Sequence, residues 1–245
     1  MLSRNSKNQI NNLAIILTDN GRARAYLSEL AKAKLLPSAA IVVESPEIID
    51  KPQERFFSNY FDNTTPIKEK LRSLEISYKA FSVESINELC VVEYTLSLKQ
   101  ELIVFAGSAG SILSSKYFRN DKKLIHVHPG KLPEYRGSTP MYYSLLNENN
   151  ITMSAFLMSE QLDGGNVIFE ESFTDITDKR KIDTELDPYF RAVVLAKALE
   201  RYLDNGCLAS QNNSDVDEEK FYIIHPILKH LAILASNDNS GNQKQ

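Results

Sequence analysis

The chain has 245 residues, of which 42% are hydrophobic and 24% are charged, and its formal net charge is −4. These values are near the averages of globular proteins and predict one α/β domain, with or without a small appendage. The acidic balance, with no long run of Lys and Arg, argues against a nucleic-acid partner. Only Cys90 and Cys207 are present, and neither an export signal nor an apolar stretch of about 18 residues occurs, so we expect a cytoplasmic protein with no membrane partner.

The first half of the chain alternates between predicted strands and helices. Apolar, β-branched runs predict buried strands, and apolar residues at helical spacing predict helices. The strands are expected at 13–18, 39–43, 78–81, 102–105 and 123–127, and the helices at 22–35, 64–74, 84–98 and from about residue 114. Buried strands that alternate with helices predict a Rossmann-like α/β fold, with a mostly parallel sheet and helices on both faces.

The character of the sequence changes after residue 165. Residues 166–173 are predicted to be extended, and 187–204 to form a helix that packs across the sheet. We expect a catalytic domain over 1–205, a C-terminal extension over 206–235 that packs on this domain, and a disordered tail over 236–245. The extension begins with a polar loop at 206–219, and its two histidines, His225 and His230, are interpreted as structural.

Two histidines at the end of the predicted 123–127 strand mark the candidate site. His126 and His128 are two positions apart, so they project from the same face of a strand. The carboxyl ends of parallel strands are where open α/β sheets bind ligands. We therefore expect both imidazoles to point into a site and not into the core.

Residues 128–140, HPGKLPEYRGSTP, and the later run 162–165, LDGG, resemble the motifs of formyltransferases that use N10-formyltetrahydrofolate. This family includes the glycinamide ribonucleotide, methionyl-tRNA and nucleotide-sugar formyltransferases. In it an Asn-x-His-Pro run, a Leu-Pro-x-Tyr-Arg-Gly run and a Leu-Asp-x-Gly run occur in this order, and the 35 positions from His128 to Asp163 fit the family spacing. The resemblance is strong over residues 100–170, and it extends to the first strand only as a pattern.

The resemblance implies that the chain is an N-formyltransferase with His128 and Asp163 as its main catalytic pair. His128 would hydrogen-bond the negative oxygen of a tetrahedral intermediate, and Asp163 would orient His128 and help to remove the amine proton. His126 stands where the family usually has Asn, so we expect its imidazole to donate an N–H to the formyl oxygen in place of the amide. Packing is the alternative for His126, and a turn-forming role is the alternative for Asp163.

The resemblance also implies a folate site, because residues 105–108 and 111–114 are similar to the stretch that lines the pterin pocket of the family. Small residues there let backbone groups approach a flat ring. The expected contacts with N10-formyltetrahydrofolate are Phe105, Gly107, Ser108, Ser111, Ile112, Leu113, Gln161 and Leu162. Taken alone, the loop AGSAGS favours a structural turn. No metal is expected.

The acceptor is expected to be a small primary amine. We favour an amino sugar, nucleotide-linked or sialic-acid-like, because HVHPG, STPMYYSLL and IIHPILKHL resemble formyltransferases of surface-glycan and pseudaminic-acid pathways. Candidate acceptor contacts are Arg136, Tyr142 and Tyr143, with loop scaffolding as the alternative for Arg136 and core packing for the tyrosines. We expect neither a tRNA nor a ribonucleotide acceptor. Whether the chain forms a homodimer stays an open question.

Three other functions stay open. A formyltetrahydrofolate hydrolase would use the same His and Asp, with water in place of the amine, and would release formate without an acceptor. A metal-dependent hydrolase would use His126, His128 and Asp163 as ligands. A non-enzymatic binding module is the third alternative, because the Asn of the family is missing at position 126.

Overall fold

The computed structural model describes residues 5–44, 55–108, 110–176, 178–208 and 221–235. In these residues the strands form one sheet with the order β3-β2-β1-β4-β5-β6-β7. The strands are β1 Gln9–Leu17, β2 Leu36–Glu44, β3 Ser77–Ser82, β4 Leu102–Ala106, β5 Lys123–His128, β6 Ile151–Leu157 and β7 Val167–Phe173. The predicted tail at 236–245 and most of the predicted loop at 206–219 lie outside the described residues.

The helices of the described residues pack on both faces of this sheet. They are α1 Gly21–Lys32, α2 Ile67–Ser73, α3 Leu89–Ser97, α4 Met141–Glu148, α5 Asp187–Asn205 and α6 Pro226–Leu234. Helix α1 begins where the side chain of Asn20 accepts a hydrogen bond of 2.9 Å from the amide of Ala23, as an N-cap residue does. Helix α5 ends at Gly206, which adopts the left-handed conformation common at helix ends.

Strands β1 to β5 pair in parallel, whereas β5, β6 and β7 pair antiparallel. The predicted α/β fold with a mostly parallel sheet is confirmed. Neither β6 nor α4 was predicted. Strand β6 contains Thr152 and Ser154, which are buried and hydrogen-bonded, so their polarity hid the pattern of a buried strand.

Two helix predictions need correction. The helix predicted at 84–98 begins only at Leu89, because Glu88 folds back and accepts hydrogen bonds from the amides of Glu84, at 2.9 Å, and Ser85, at 3.4 Å. The helix expected near residue 114 is a short 3-10 turn, Ser115–Phe118. Both differences reduce the helical segments that cover one face of the sheet.

An apolar core lies on each face of the sheet. The larger core contains Leu17, Val104 and Val127 and packs against α1 and α5, and the smaller core contains Ile103 and Leu124 and packs against α3. Alternate residues of each strand enter opposite cores, which explains why the parallel strands are apolar throughout. Strand order reverses between β1 and β4, so a crevice is expected at the carboxyl ends of these strands.

Candidate active site

The end of β5 carries two imidazoles on one face of the sheet. His126 and His128 follow Leu124 at intervals of two residues, so the three side chains form one row. Leu124 lies in the smaller core, whereas His126 is partly exposed. The row therefore runs from the core to the carboxyl edge of the sheet, where the site lies.

The carboxylate of Asp163 faces the ring of His128. Its Oδ1 atom lies 3.4 Å from Nδ1 of the ring, and its Oδ2 atom accepts a hydrogen bond of 3.0 Å from the amide of Gly137. Asp163 has a φ of 52°, in the left-handed region that Asp tolerates better than most residues. The structure thus brings together the two residues that the sequence nominates as the catalytic pair.

Asp163 is held in its charged form. Burial would raise the pKa of Asp163, but the hydrogen bond and the charge of His128, together with the amide of Gly137, lower this pKa below its usual range. The carboxylate is therefore ionised at neutral pH. It presents a fixed negative charge to the imidazole.

The protons on His128 follow from its two partners. Its Nε2 atom lies 2.7 Å from the carbonyl oxygen of Tyr135, and because a carbonyl oxygen only accepts hydrogen bonds, Nε2 carries a proton. Its Nδ1 atom faces the ionised carboxylate of Asp163, which also only accepts. Both ring nitrogens of His128 therefore face hydrogen-bond acceptors.

His126 is held by the neighbouring strand. Its Nδ1 atom lies 3.0 Å from the carbonyl oxygen of Phe105 on β4. The β4–β5 ladder ends at the pair Val104 and Ile125. The imidazole therefore contacts the carbonyl group of the residue that follows the last β4–β5 backbone pair. The rings of Phe105 and Phe156 flank it, with centroids 5.8 Å and 5.9 Å away.

The surroundings of His126 oppose a positive charge on its ring. Burial lowers the pKa of His126 well below its usual value, and the charges of Arg22, Arg191 and His128 lower it further, while the bond to Phe105 acts in the opposite direction. His126 is therefore neutral at pH 7.

Strand β6 forms one wall of the site. The hydroxyl of Ser154 donates to the carbonyl oxygen of Gly130 at 2.8 Å and accepts from the amide of Leu132 at 3.2 Å, which fixes the loop after β5. Phe156 presents its ring edge to both imidazoles, at centroid distances of 5.9 Å and 6.5 Å. A strand that the sequence analysis missed therefore shapes the site.

The C-terminal extension closes the loop that follows β5. The amide of Tyr222 donates to the carbonyl oxygen of Arg136 at 2.7 Å. Gly137 has a φ of 114°, and a Cβ atom there would lie 2.4 Å from the carbonyl oxygen of Tyr222. Only glycine fits this close approach. Because the amide of Gly137 also donates to Asp163, the extension is linked through this residue to the pair formed by His128 and Asp163.

A cavity of about 150 Å³ opens beside β1, β2 and β4 at their carboxyl ends. Four predicted folate contacts line it, namely Gly107, Ser108, Ser111 and Ile112. The lining also includes residues that the sequence analysis did not single out, namely Thr18, Val43 and 83–87. These residues lie at or just after the ends of β1, β2 and β3, and that position is the signal that could have identified them.

The other predicted folate contacts do not line this cavity. Phe105 and Leu113 are buried in the smaller core. Leu162 is 47% exposed beside Asp163, and the carbonyl oxygen of Gln161 accepts a hydrogen bond of 3.2 Å from the amide of Gly164. The predicted set thus divides between the cavity, the core and the loop that carries Asp163.

Asn87 is a positioning residue that the sequence analysis missed. Its side chain donates to the carbonyl oxygen of Ile112 and accepts from the amide of Ser114, each at 2.8 Å. These bonds tie the predicted folate loop to the loop after β3. No local sequence signal indicates this contact, because it joins segments about 25 residues apart.

The predicted acceptor contacts lie in packed surroundings. Tyr142 has no exposed surface, and its hydroxyl donates to Asp183. Tyr143 packs its ring 5.1 Å from that of Tyr222, and Arg136 is buried. Tyr142 therefore has no surface that an acceptor could touch, whereas Tyr143 is partly exposed.

Among the described residues, no group of three or more His, Cys, Asp and Glu side chains is arranged to share a metal ion. No described helix has both the length and the apolar character needed to cross a bilayer. His225 caps α6, where its side chain accepts a hydrogen bond of 3.2 Å from the amide of Ile227, in line with the structural interpretation.

Comparison with known proteins identifies the family. A model of the formyl transferase family matches residues 12–185. The methionyl-tRNA formyltransferase of Listeria monocytogenes serotype 4a (strain HCC23) is 32% identical over 125 residues, which are 50% of this chain and 39% of that protein. The enzyme of the same name from Bacillus subtilis (strain 168) is 32% identical over 157 residues, 63% of this chain and 48% of that protein. The chain spans about half the length of the curated relatives it matches.

Solved structures share the fold. A phosphoribosylglycinamide formyltransferase from Anaplasma phagocytophilum has a TM-score of 0.56 at 15% identity, covering 86% of this chain and 97% of that one. An N-formyltransferase from Helicobacter canadensis, in complex with folinic acid and dTDP-3-aminofucose, has a TM-score of 0.56 at 17% identity, covering 87% of this chain and 71% of that one. Because the family model matches most of its length, the chain belongs to the formyl transferase family.

Proposed function

We propose that this protein transfers a formyl group from N10-formyltetrahydrofolate to a primary amine. The observation that carries the proposal is the contact of His128 with Asp163, 3.4 Å apart at the carboxyl end of β5. The membership of the chain in the formyl transferase family supports it. The nearby cavity provides a surface for the folate donor.

The proposed reaction is an acyl transfer. An unprotonated amine attacks the formyl carbon, and the carbonyl electrons move onto the oxygen, which becomes negative. In the free protein the Nε2–H of His128 donates to the carbonyl oxygen of Tyr135. In the intermediate it donates to the negative oxygen instead. Loss of a donor of this kind typically lowers kcat by about 10²–10³-fold.

Asp163 has two tasks in this scheme. Its negative charge stabilises positive charge that develops on the ring of His128, and its contact with Nδ1 fixes the direction of the ring. The amide of Gly137 holds the carboxylate in place. Since the two side chains act as one unit, we expect that the effects of substituting them do not add.

For the donor, we propose contacts from the cavity and from the loop that carries Asp163. Ile112 is 64% exposed at the mouth of the cavity and Leu162 is 47% exposed beside Asp163. Exposed apolar side chains at a pocket are suited to cover the face of a flat ring. Backbone groups near Ser111 and Gln161 would bond the pterin edge.

For the acceptor, we propose an amino sugar. The fold neighbour from Helicobacter canadensis was crystallised with dTDP-3-aminofucose, although that ligand is a property of that protein alone. The net charge of −4 gives this chain no general attraction for tRNA. A small acceptor without nucleic acid is therefore the proposal that fits the chain best.

The experiment is mass spectrometry of acceptors incubated with the protein and N10-formyltetrahydrofolate. The panel holds dTDP-3-aminofucose, other amino sugars, glycinamide ribonucleotide and methionyl-tRNA, and the proposal expects one formyl group on an amino sugar. Formylation of another member would refute the sugar assignment only. Formate released without any acceptor would identify a hydrolase, and donor binding with neither product would refute catalysis.

A further inference from the structure

His126 has one hydrogen-bonding task that the structure defines. The carbonyl oxygen of Phe105, 3.0 Å from Nδ1, can only accept, so the proton of the neutral ring sits on Nδ1. Nε2 is then left with a lone pair. In this tautomer His126 offers an acceptor and has no second N–H to donate.

The opposite tautomer conflicts with the surroundings. A proton on Nε2 alone would place the lone pair of Nδ1 against the carbonyl oxygen of Phe105. The donation from His126 to the formyl oxygen that the sequence leads us to expect needs this unfavourable arrangement. The geometry therefore argues against an oxyanion contact from a neutral His126.

A second proton on His126 is disfavoured as well. The cations that act on its ring come from three elements, with Arg22 on α1, Arg191 on α5 and His128 on β5, and the anion that acts with it is Asp163. The rings of Phe105 and Phe156 flank the imidazole, and Asp187 is paired with Arg191. Neutral His126 thus presents a lone pair at Nε2.

We propose that Nε2 of His126 accepts the proton of the attacking amine. This inference rests on the proposed formyl transfer and assigns opposite tasks to the two imidazoles. His128 donates to the oxygen of the intermediate, and His126 accepts from its nitrogen. The histidine at the position of the family's usual Asn thus supplies a base to the site.

The step balances in atoms and electrons. The amine nitrogen forms a bond to the formyl carbon, and the carbonyl pair moves to oxygen. The attacking nitrogen, now positive, gives one proton to Nε2 of His126. The oxygen pair returns, the bond from carbon to N10 breaks, and N10 takes one proton from His128 or water. His126 then releases its proton to solvent, and His128 regains the one it lost.

Nitrogen-15 NMR of the histidine rings tests the tautomer without turnover. The chain has four histidines, and the signals that disappear in the His126→Asn variant identify His126. We expect a proton on Nδ1 and a bare Nε2 at neutral pH. A protonated Nε2, in the neutral ring or in the imidazolium, would overturn the inference.

The pH profile of kcat, measured with the acceptor that mass spectrometry identifies, tests the catalytic role of His126. Protonation of Nε2 removes the lone pair, and because the pKa of His126 is lowered well below its usual value, kcat of the wild type is expected to fall only on acidification well below pH ~6.5, the ordinary pKa of histidine. In His126→Asn this fall should be absent, and in His126→Phe kcat should drop about 10²-fold with unchanged folinic acid affinity. A fall that persists in His126→Asn would overturn the role.

The two tests separate this inference from the proposed function. If no acceptor is formylated, the proposed function fails and the proton acceptor role fails with it, while the NMR result still reports the tautomer. If formylation occurs but Nε2 carries a proton, only the role of His126 fails. A bare Nε2 together with the acid fall supports both.

Discussion

Asp163 combines burial, an ionised side chain and a left-handed backbone at a single position. Each of these features is unfavourable alone. The Nδ1 atom of His128 faces one carboxylate oxygen, and the amide of Gly137 donates to the other. Both contacts lower the pKa of Asp163 and so favour its ionised form.

Replacing Asp163 by Asn keeps the size of the side chain and removes its charge. The amide offers no negative charge to the ring of His128, so kcat/KM for formyl transfer is expected to fall about 10²–10⁴-fold, the range of general acid–base contributions. Steady-state kinetics measures this fall. Asp121→Asn, at an exposed position, is the matched control, and an equal loss in both variants would refute the assignment.

The lowered pKa of Asp163 predicts how stability depends on pH. A carboxyl group with a lowered pKa in the folded state adds stability above its unfolded pKa of ~3.9 and loses that contribution as pH falls through the folded value. Wild type and Asp163→Asn are therefore expected to differ in free energy of unfolding by a constant amount above pH ~5 and to converge in more acidic solution. Denaturant titrations at several pH values measure this, and divergence on acidification would contradict it.

The proximity of His128 and Asp163 could be predicted from the sequence, but the proton positions on the imidazoles could not. His128 and Asp163 stand in motifs whose order and spacing resemble a known family. The tautomer of His126 depends on where the β4–β5 ladder ends and on which carbonyl is left over. That information exists only once the strands are in register.

At the scale of elements, the loop after β5 is fixed from two directions. Ser154 on β6 binds its first part, and the segment before α6 binds its second part through Tyr222 and Ile224. The ring of Tyr222 also packs 5.4 Å from that of Tyr135. The C-terminal extension therefore acts as a support for the site.

Gly137→Ala tests this support. The new Cβ atom would meet the backbone of Tyr222, so the variant is expected to lose about 1–3 kcal/mol of unfolding free energy and to show reduced kcat. Gly206→Ala, at the end of α5, is the control, since Gly206 also has a positive φ but open space around the Cβ position, and about 1 kcal/mol is expected there from backbone strain alone. Equal losses of activity in the two variants would contradict the role of the extension.

The elements that were predicted and those that were missed differ in chemistry. Strands β1, β2 and β4 are apolar on both faces, which makes them visible in the sequence. Strand β6 carries buried Ser154, and the N-cap residue of α4 is Pro140, which provides no side-chain cap, so neither element has the usual signals. The pairing of Tyr222 with Arg136 is a contact between distant segments and has no local pattern.

At the scale of the whole molecule, an apolar core lies on each face of the single sheet, and a ligand crevice lies at the carboxyl ends of its parallel strands. Ligands that bind only the folded state stabilise all of it. The predicted folate contact Ile112 is 64% exposed, so it adds little to the core. Its contribution should therefore appear in ligand binding and not in the stability of the free protein.

Ile112→Ala is expected to leave the melting temperature of the free protein nearly unchanged and to weaken binding of folinic acid about 10-fold or more, because the ligand no longer buries an Ile side chain worth about 1.5–3 kcal/mol. Titration calorimetry and thermal unfolding measure the two effects. Leu89→Ala, at another exposed apolar position on α3 that is 57% exposed, is the control. Unchanged affinity in Ile112→Ala would refute the proposed contact.

The pairing of the extension with the loop after β5 also sets a time order for synthesis. Thr139 receives its partner Ile224 only 85 residues later in the chain, which at about 5–20 residues per second is a delay of about 4–17 seconds on the ribosome. During that interval the strands of the sheet can assemble while the backbone around Gly137 still bonds to water. In the nascent chain the sheet can therefore form before the C-terminal extension fixes the loop after β5.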